Sequence, residues 1–119
     1  MSDVPADISS IESYHVHIYF RTPDERGRAL VVREQIGGRF AVQLGRVHDV
    51  AIGPHTAPMY QVAFARDVLP ELLPWLMLNR QGLSVLLHPN TGRARDDHLL
   101  HACWLGEPLA LRGEVLDND

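Results

Sequence analysis

Seven histidines in 119 residues carry most of the chemical content of this sequence. His15 and His17 stand two apart in YHVHIYF. On a strand, alternate residues share a face, so these two imidazoles can converge on one ion. His55 follows Gly53-Pro54, where the proline stiffens the backbone, and His88 closes the apolar run LSVLL just before Pro89. His98 and His101 are three apart and would share a side of a helical turn. Asp97, immediately before them, could cap that turn or orient a ring nitrogen. Each histidine taken singly also fits a solvated or backbone-bonded side chain. Together they point to a histidine metal site on a small scaffold. Residue type does not choose among Fe, Zn, Cu and Ni. A two-histidine, one-carboxylate site would favour ferrous iron, but spacing does not identify the carboxylate.

Several chemistries are excluded. All 11 basic residues are arginine, which rules out a Schiff-base lysine, a pyridoxal-phosphate lysine and a P-loop lysine. There is no G-x-S-x-G, H-E-x-x-H, Walker or G-x-G-x-x-G motif. With a formal net charge of −4 and only the short clusters Arg26/Arg28 and Arg93/Arg95, nucleic acid is not an expected partner. A lone cysteine, Cys103, can form neither an internal disulfide nor a cysteine zinc cage, and is expected as a small apolar filler. The start, MSDVPADISS, lacks the features of a signal peptide. The most apolar stretch, 68–78, is too short and too interrupted to span a bilayer. A cytoplasmic location without membrane contact is expected.

The elements that must position the histidines are legible in outline. The length suits one domain, 1–119, with 1–12 as a flexible lead-in. A strand follows at 14–20, with Tyr14, Val16, Ile18 and Phe20 on one side and His15, His17 and Tyr19 on the other. Thr22, Pro23 and Glu25 start a helix through a capping box, Ala29, Leu30, Val32 and Ile36 face its core, and Gly37-Gly38 stop it. Phe40, Val42 and Leu44 mark a second strand. A long glycine- and proline-punctuated connection at 45–58 holds His48, Asp49 and His55. A third strand at 59–65 follows, with Tyr60, Val62 and Phe64 on its apolar side. A second helix runs from about Asp67 to Arg80; Pro74 should kink it or mark its true start. Trp75, Leu76 and Leu78 pack it on the sheet. A short buried strand occupies 83–87, while Trp104 and Leu105 anchor the tail. The order βαββαβ predicts an α+β, ferredoxin-like two-layer sandwich, with the tail from His88 onward folded over the open sheet face.

These residues resemble the DOPA 4,5-dioxygenase family of small extradiol catechol dioxygenases. The matching segments are YHVHIYF at 14–20, GPH at 53–55, PWLMLNRQGLSVLLHPNTG at 74–92, DDH at 96–98 and WLG at 104–106. They occur in the expected order, from Tyr14 to about Leu111. The resemblance implies a ferredoxin-like fold, a homodimer, and O2-dependent cleavage of a small catechol, L-DOPA or a related catecholic acid, to a ring-opened semialdehyde. The metal would be nonhaem Fe(II). It further implies His17, His55 and His88 as ligands, with His15 an additional ligand or a support behind them. His98, oriented by Asp97, would be the acid–base group. Tyr19 could hydrogen-bond a bound oxygen, and Arg80 or Arg95 could hold a substrate carboxylate through a bidentate pair. Two other readings stand beside this one. A non-catalytic metal or small-ligand-binding module would keep the fold and histidines without turnover. A cofactor-free monooxygenase or isomerase of the same shape would leave the histidines unexplained.

Overall fold

Side chains of β1 (Ser13–Tyr19) alternate between two environments. Tyr14, Val16 and Ile18 join the core under the helices, and His15, His17 and Tyr19 take the opposite face. The computed structural model describes residues 3–119. Residues 1 and 2 of the expected lead-in lie outside that range. From Asp7 the chain makes a 3-10 turn (Ile8–Ser10), and Glu12 N–H donates to the Asn90 carbonyl at 2.9 Å.

Helix α1 (Pro23–Arg39) begins as its sequence requires: Thr22 Oγ1 accepts from Glu25 N–H at 3.1 Å. The Glu25 carboxylate reaches one residue further back than a reciprocal box, accepting from Arg21 N–H at 2.8 Å. Gly37 and Gly38 do not stop the helix. Ile36 and Phe40 still pack on the core, and that burial outweighs the roughly 1 kcal/mol helix cost of each glycine. Strand β2 shrinks to Gln43–Leu44, although Phe40, Val42 and Leu44 pack on the core as their alternation requires.

After β3 (Met59–Phe64), a 3-10 turn (Arg66–Val68) leads into α2 (Leu69–Asn79). Pro74 is not the helix start and lies inside it. Its missing N–H forfeits one hydrogen bond, which is offset by the stripe Leu69, Leu72, Leu73 and Leu76 on the core. Trp75 packs beside this stripe against Phe40, but Leu78 points into solvent at 86% exposure. Gln81 and Gly82, both at positive φ, then reverse the chain. Strand β4 (Val85–Asn90) starts later than expected and continues through His88 and Pro89. A short α3 (Ala94–Leu99) and β5 (Cys103–Leu105) complete the elements, with a 3-10 turn at Gly113–Val115.

The sheet order is β2-β3-β1-β4-β5, every neighbouring pair antiparallel. Its first four strands with α1 and α2 form the split βαβ pair of a ferredoxin-like sandwich, and β5 adds an edge. Since β5 pairs with Val85, Leu86 and Leu87, the outer edge of β4 has no strand partner at Pro89 among the described residues, and a missing N–H is tolerated there. On the open face a smaller cluster joins Tyr19, Ala57, Met59 and Leu86 to Ala102, Trp104, Leu109 and Leu111. The tail thus covers one end of that face. Cys103 is exposed on β5 and is not a buried filler, because Trp104 takes the inward position beside it. No helix among the described residues is long and apolar enough to cross a membrane.

The contrast within α2 is measurable. Leu76→Ala removes a fully buried side chain and is expected to cost about 2–5 kcal/mol in urea denaturation. Leu78→Ala should stay within about 0.5 kcal/mol. Equal losses would contradict this placement of the helix.

Candidate metal centre

Strand register brings the histidines together. Across the sheet, Gln43 faces Ala63, Ala63 faces His15, and His15 faces His88. One step along, His17 lies between Gln61 and Leu86, and Tyr19 follows opposite Met59. His15, His17 and His88 therefore share the open face. His55 arrives from the long connection, which is pinned at several points. Its backbone forms a bridge with Leu111, the Pro54 carbonyl accepts from Arg112 N–H at 2.8 Å, and the Thr56 hydroxyl donates to Ala110 at 2.7 Å. His98 arrives on α3.

Ring centroids lie 3.9 Å apart for His88–His98, 4.3 Å for His17–His55 and 5.1 Å for His17–His88. Two sets of three have ligand atoms all within 4.8 Å of one another: His15, His17 and His88, and His17, His55 and His98. His17 belongs to both. The trio His17, His55 and His88 is not such a set, yet these are the three most buried histidines, at 3%, 4% and 1% exposure. Burial and proximity thus rank the five imidazoles differently.

Backbone carbonyls fix two of the tautomers. His88 Nδ1 lies 2.9 Å from the Pro89 carbonyl and His98 Nδ1 lies 2.8 Å from that of Ala94. A carbonyl only accepts, so both Nδ1 atoms carry the hydrogen, and the Nε2 of His88, a ring held neutral by burial, is bare. His55 Nδ1 is held by the Tyr19 hydroxyl at 2.7 Å. The bare Nε2 of His88 is 3.1 Å from His17 Nε2. Nitrogens bound about 2.1 Å from one ion at a right angle stand about 3 Å apart, so this spacing suits neighbouring ligands. Without an ion, His17 must donate to His88, and its Nδ1 is then a buried nitrogen with no hydrogen-bond partner. These buried imidazole nitrogens fit a divalent transition metal.

The electrostatics agree with neutral ligands. Burial, reinforced by the neighbouring imidazoles, holds His17 well below the usual histidine range. Burial first and His98 second lower His55 to about 4. The same causes, in the same order, lower His88 to about 3 against the opposing Pro89 hydrogen bond. His15 is lowered as well, chiefly by burial. The Tyr19 hydroxyl is pushed up by burial and stays protonated.

Other sequence candidates are placed differently. Asp97 is buried, but it does not touch a His98 nitrogen. Its carboxylate accepts from Thr91 N–H at 2.8 Å and the Thr91 hydroxyl at 2.7 Å, clamping α3 to the end of β4. Arg80 sits at the end of α2, donating to the Met77 carbonyl at 3.2 Å, and Arg95 donates to that of Gly113 at 3.3 Å. Neither guanidinium is brought to the histidines. His101 is exposed beyond α3. Sequence reasoning missed Thr91, Gln61 beside His17, and Arg112, which binds the Gly53 and His55 carbonyls. It also missed Trp104 as the ring stacked on Tyr19 at 5.6 Å. All four depend on pairings across the chain that no local pattern announces.

A ferredoxin-like sandwich with imidazoles converging on its open face defines a small histidine-site protein of the α+β class. More specifically, residues 14–115 match the Dopa 4,5-dioxygenase family, and the chain belongs to that family. It is 32% identical to DOPA 4,5-dioxygenase of Amanita muscaria over 93% of this chain and 53% of that protein. It is 36% identical to an uncharacterized 21.2 kDa protein of Botryotinia fuckeliana, over 90% of this chain and 64% of that one. The chain thus spans only part of the length of these two relatives. Among solved structures, a "putative dioxygenase" from Nostoc punctiforme superposes with a TM-score of 0.91 at 49% identity, covering 93% of this chain and 96% of that one.

Burial of neutral histidines sets an acid limit on the metal-free protein. Their folded values lie below the unfolded value near 6.5, so the unfolded chain binds more protons as pH falls. Stability in urea should be full above about pH 7 and decline from about 6.5 towards 4 and below. A His55→Gln/His88→Gln double variant should show a flatter decline. An unchanged slope would mean that these rings do not stay neutral in the folded state.

Proposed function

We propose that this protein is an extradiol dioxygenase that uses a nonhaem ferrous ion and O2 to open the ring of a catechol. The observation carrying this reading is the set of bare or desolvated imidazole nitrogens on the open sheet face, in a chain of the Dopa 4,5-dioxygenase family. The overall change is addition of both oxygen atoms of O2 across a ring carbon–carbon bond beside the diol. That bond breaks, and the product carries a carboxylate and an aldehyde. When bound, ferrous iron would supply adjacent positions for the two catechol oxygens and O2, and a route for electrons between them.

His17, His55 and His88 are the proposed ligands, because all three are desolvated and held neutral. The Pro89 carbonyl presents His88 through Nε2, and Tyr19 orients His55. If His55 donates to Tyr19 from Nδ1, the phenolic hydrogen remains free to point to a substrate or oxygen atom. His15 supports this group from the adjoining sheet position. His98 suits proton transfer: it is half-buried on α3, and its Nδ1–H stays on the Ala94 carbonyl while Nε2 takes a catechol proton and later returns it. Asp97 acts at one remove, by fixing α3 through Thr91.

Oxygen uptake by protein reconstituted anaerobically with ferrous iron, then given L-DOPA and simple catechols, tests the reading. Uptake should accompany a yellow ring-opened product. His17→Ala, His55→Ala and His88→Ala should each lose iron and uptake with little loss of fold. His98→Gln should keep iron and slow turnover about 10²- to 10⁴-fold. Iron lost from His98→Gln but kept by His88→Ala would exchange those two roles. Iron-loaded, folded protein that consumes no oxygen with any catechol would make this a binding module.

A further inference from the structure

Of the converging histidines, His15, His17 and His88 stand on strands, where the sheet register fixes them. His55 and His98 have no such support. His55 lies in the long connection, and His98 rides on α3, a helix of six residues. A helix that short is not stable by itself, and its first N–H groups need acceptors. Arg93, which precedes it, supplies no side-chain cap. The acceptors come from 22 residues downstream: Asp96 N–H donates to Asn118 Oδ1 at 2.9 Å, and Arg95 N–H donates to the Asp117 carbonyl at 3.2 Å. Leu99 of the same helix packs on Gly113, where a Cβ would come within 2.7 Å of Leu99 Cδ1. The segment that caps α3 also binds the His55 connection. The Arg112 guanidinium donates to the Gly53 carbonyl at 3.3 Å and to the His55 carbonyl at 3.5 Å, alongside the Ala110, Leu111 and Arg112 backbone contacts described above. The two rings held in this way lie 6.1 Å apart, centroid to centroid.

We propose that residues 110–118 form a clasp that positions the two histidines lacking strand support, with Arg112 the positioning residue for His55 and Asn118 the positioning residue for His98. Its consequences for turnover rest on the dioxygenase reading, whereas those for metal affinity and for order in α3 do not. An imidazole ligand gains affinity from being held where the ion needs it, so loosening 53–55 weakens metal binding. Proton transfer needs His98 within hydrogen-bond reach of the reacting oxygen, so fraying of α3 slows turnover while the ion stays in place. Each positioning variant should therefore reproduce, more weakly, the loss caused by replacing the histidine it serves.

The test uses the whole chain carrying Arg112→Gln, Asn118→Ala or Asn118→Asp. Calorimetry reads zinc affinity, amide hydrogen exchange reads order in α3, and oxygen uptake with the catechol consumed fastest reads kcat and KM per bound iron. Arg112→Gln should lower zinc affinity about tenfold and leave exchange in α3 unchanged. Asn118→Ala should keep zinc affinity within about twofold, speed exchange at Asp96 about fivefold and lower kcat about fivefold with KM unchanged. Asn118→Asp keeps an acceptor oxygen for Asp96 N–H and should restore both. Thr56→Val removes the hydroxyl bond to Ala110 and replaces Arg112→Gln if that variant does not fold. Equal losses of zinc affinity and kcat in the Arg112 and Asn118 variants would mean that the segment supports only overall stability, and would overturn the clasp. Zinc affinity and exchange unchanged in both would overturn it as well. Wild-type protein that binds zinc but consumes no oxygen with any catechol would overturn the dioxygenase reading, and the zinc and exchange results would still decide the clasp.

Discussion

Strand β1 is hydrogen-bonded along both edges, to β3 and to β4, and each of its side chains must leave the sheet on one face or the other. Val16 and Ile18 are fully buried under the helices, which fixes the register of the central strand against a one-residue slip. Once that side is committed, His15, His17 and Tyr19 have only the opposite face. The neighbouring strands inherit the same constraint. Val85 and Leu87 bury on the helix side, so Leu86 and His88 emerge beside His17 and His15. Apolar packing on one side of the sheet thereby places imidazoles on the other without any interaction between them.

Placing several imidazoles side by side, three of them buried, is unfavourable for the metal-free protein. Burial desolvates His17, His55 and His88, and they would repel one another if protonated. The fold tolerates this because the buried rings of His17, His55 and His88 are held neutral and much of the hydrogen-bonding capacity of the group is used elsewhere. Pro89 and Ala94 carbonyls and the Tyr19 hydroxyl take the Nδ1 positions, leaving Nε2 atoms to face inward. His17 is the exception, with a buried Nδ1 that nothing among the described residues satisfies. The site is therefore preorganised at its edges and electrostatically unfinished at its centre, as expected for a place that gathers a cation.

The tail completes the arrangement by joining parts that are distant in sequence. Leu111 pairs with His55, and Trp104 stacks on Tyr19, whose hydroxyl holds His55. Asp97 and Thr91 tie α3, and with it His98, to the end of β4. Two of the inward rings thus depend on segments whose order comes from packing on the open face. The tail covers the Tyr19 end of that face and leaves the Ala63 end open.

Local chemistry announced much of this. The two-residue alternation in YHVHIYF determined which face His15 and His17 share, and Thr22-Pro23 determined where α1 begins. The order of apolar segments determined the sandwich, since strands and helices with one apolar side each have few ways to bury it. Where single glycines and prolines competed with packing, local signals misled. Gly37-Gly38 did not end α1, because burial of Ile36 and Phe40 decided it, and of the two roles open to Pro74 it does not take that of the start of α2. Tertiary structure alone decided which carbonyl holds each imidazole, that Asp97 serves Thr91 and not His98, and that Arg80 and Arg95 point elsewhere. The physical reason is range. Alternation and capping act over one to four residues, whereas a hydrogen-bond partner 36 or 71 residues away, as for Tyr19–His55 and His17–His88, exists only once the sheet register has closed.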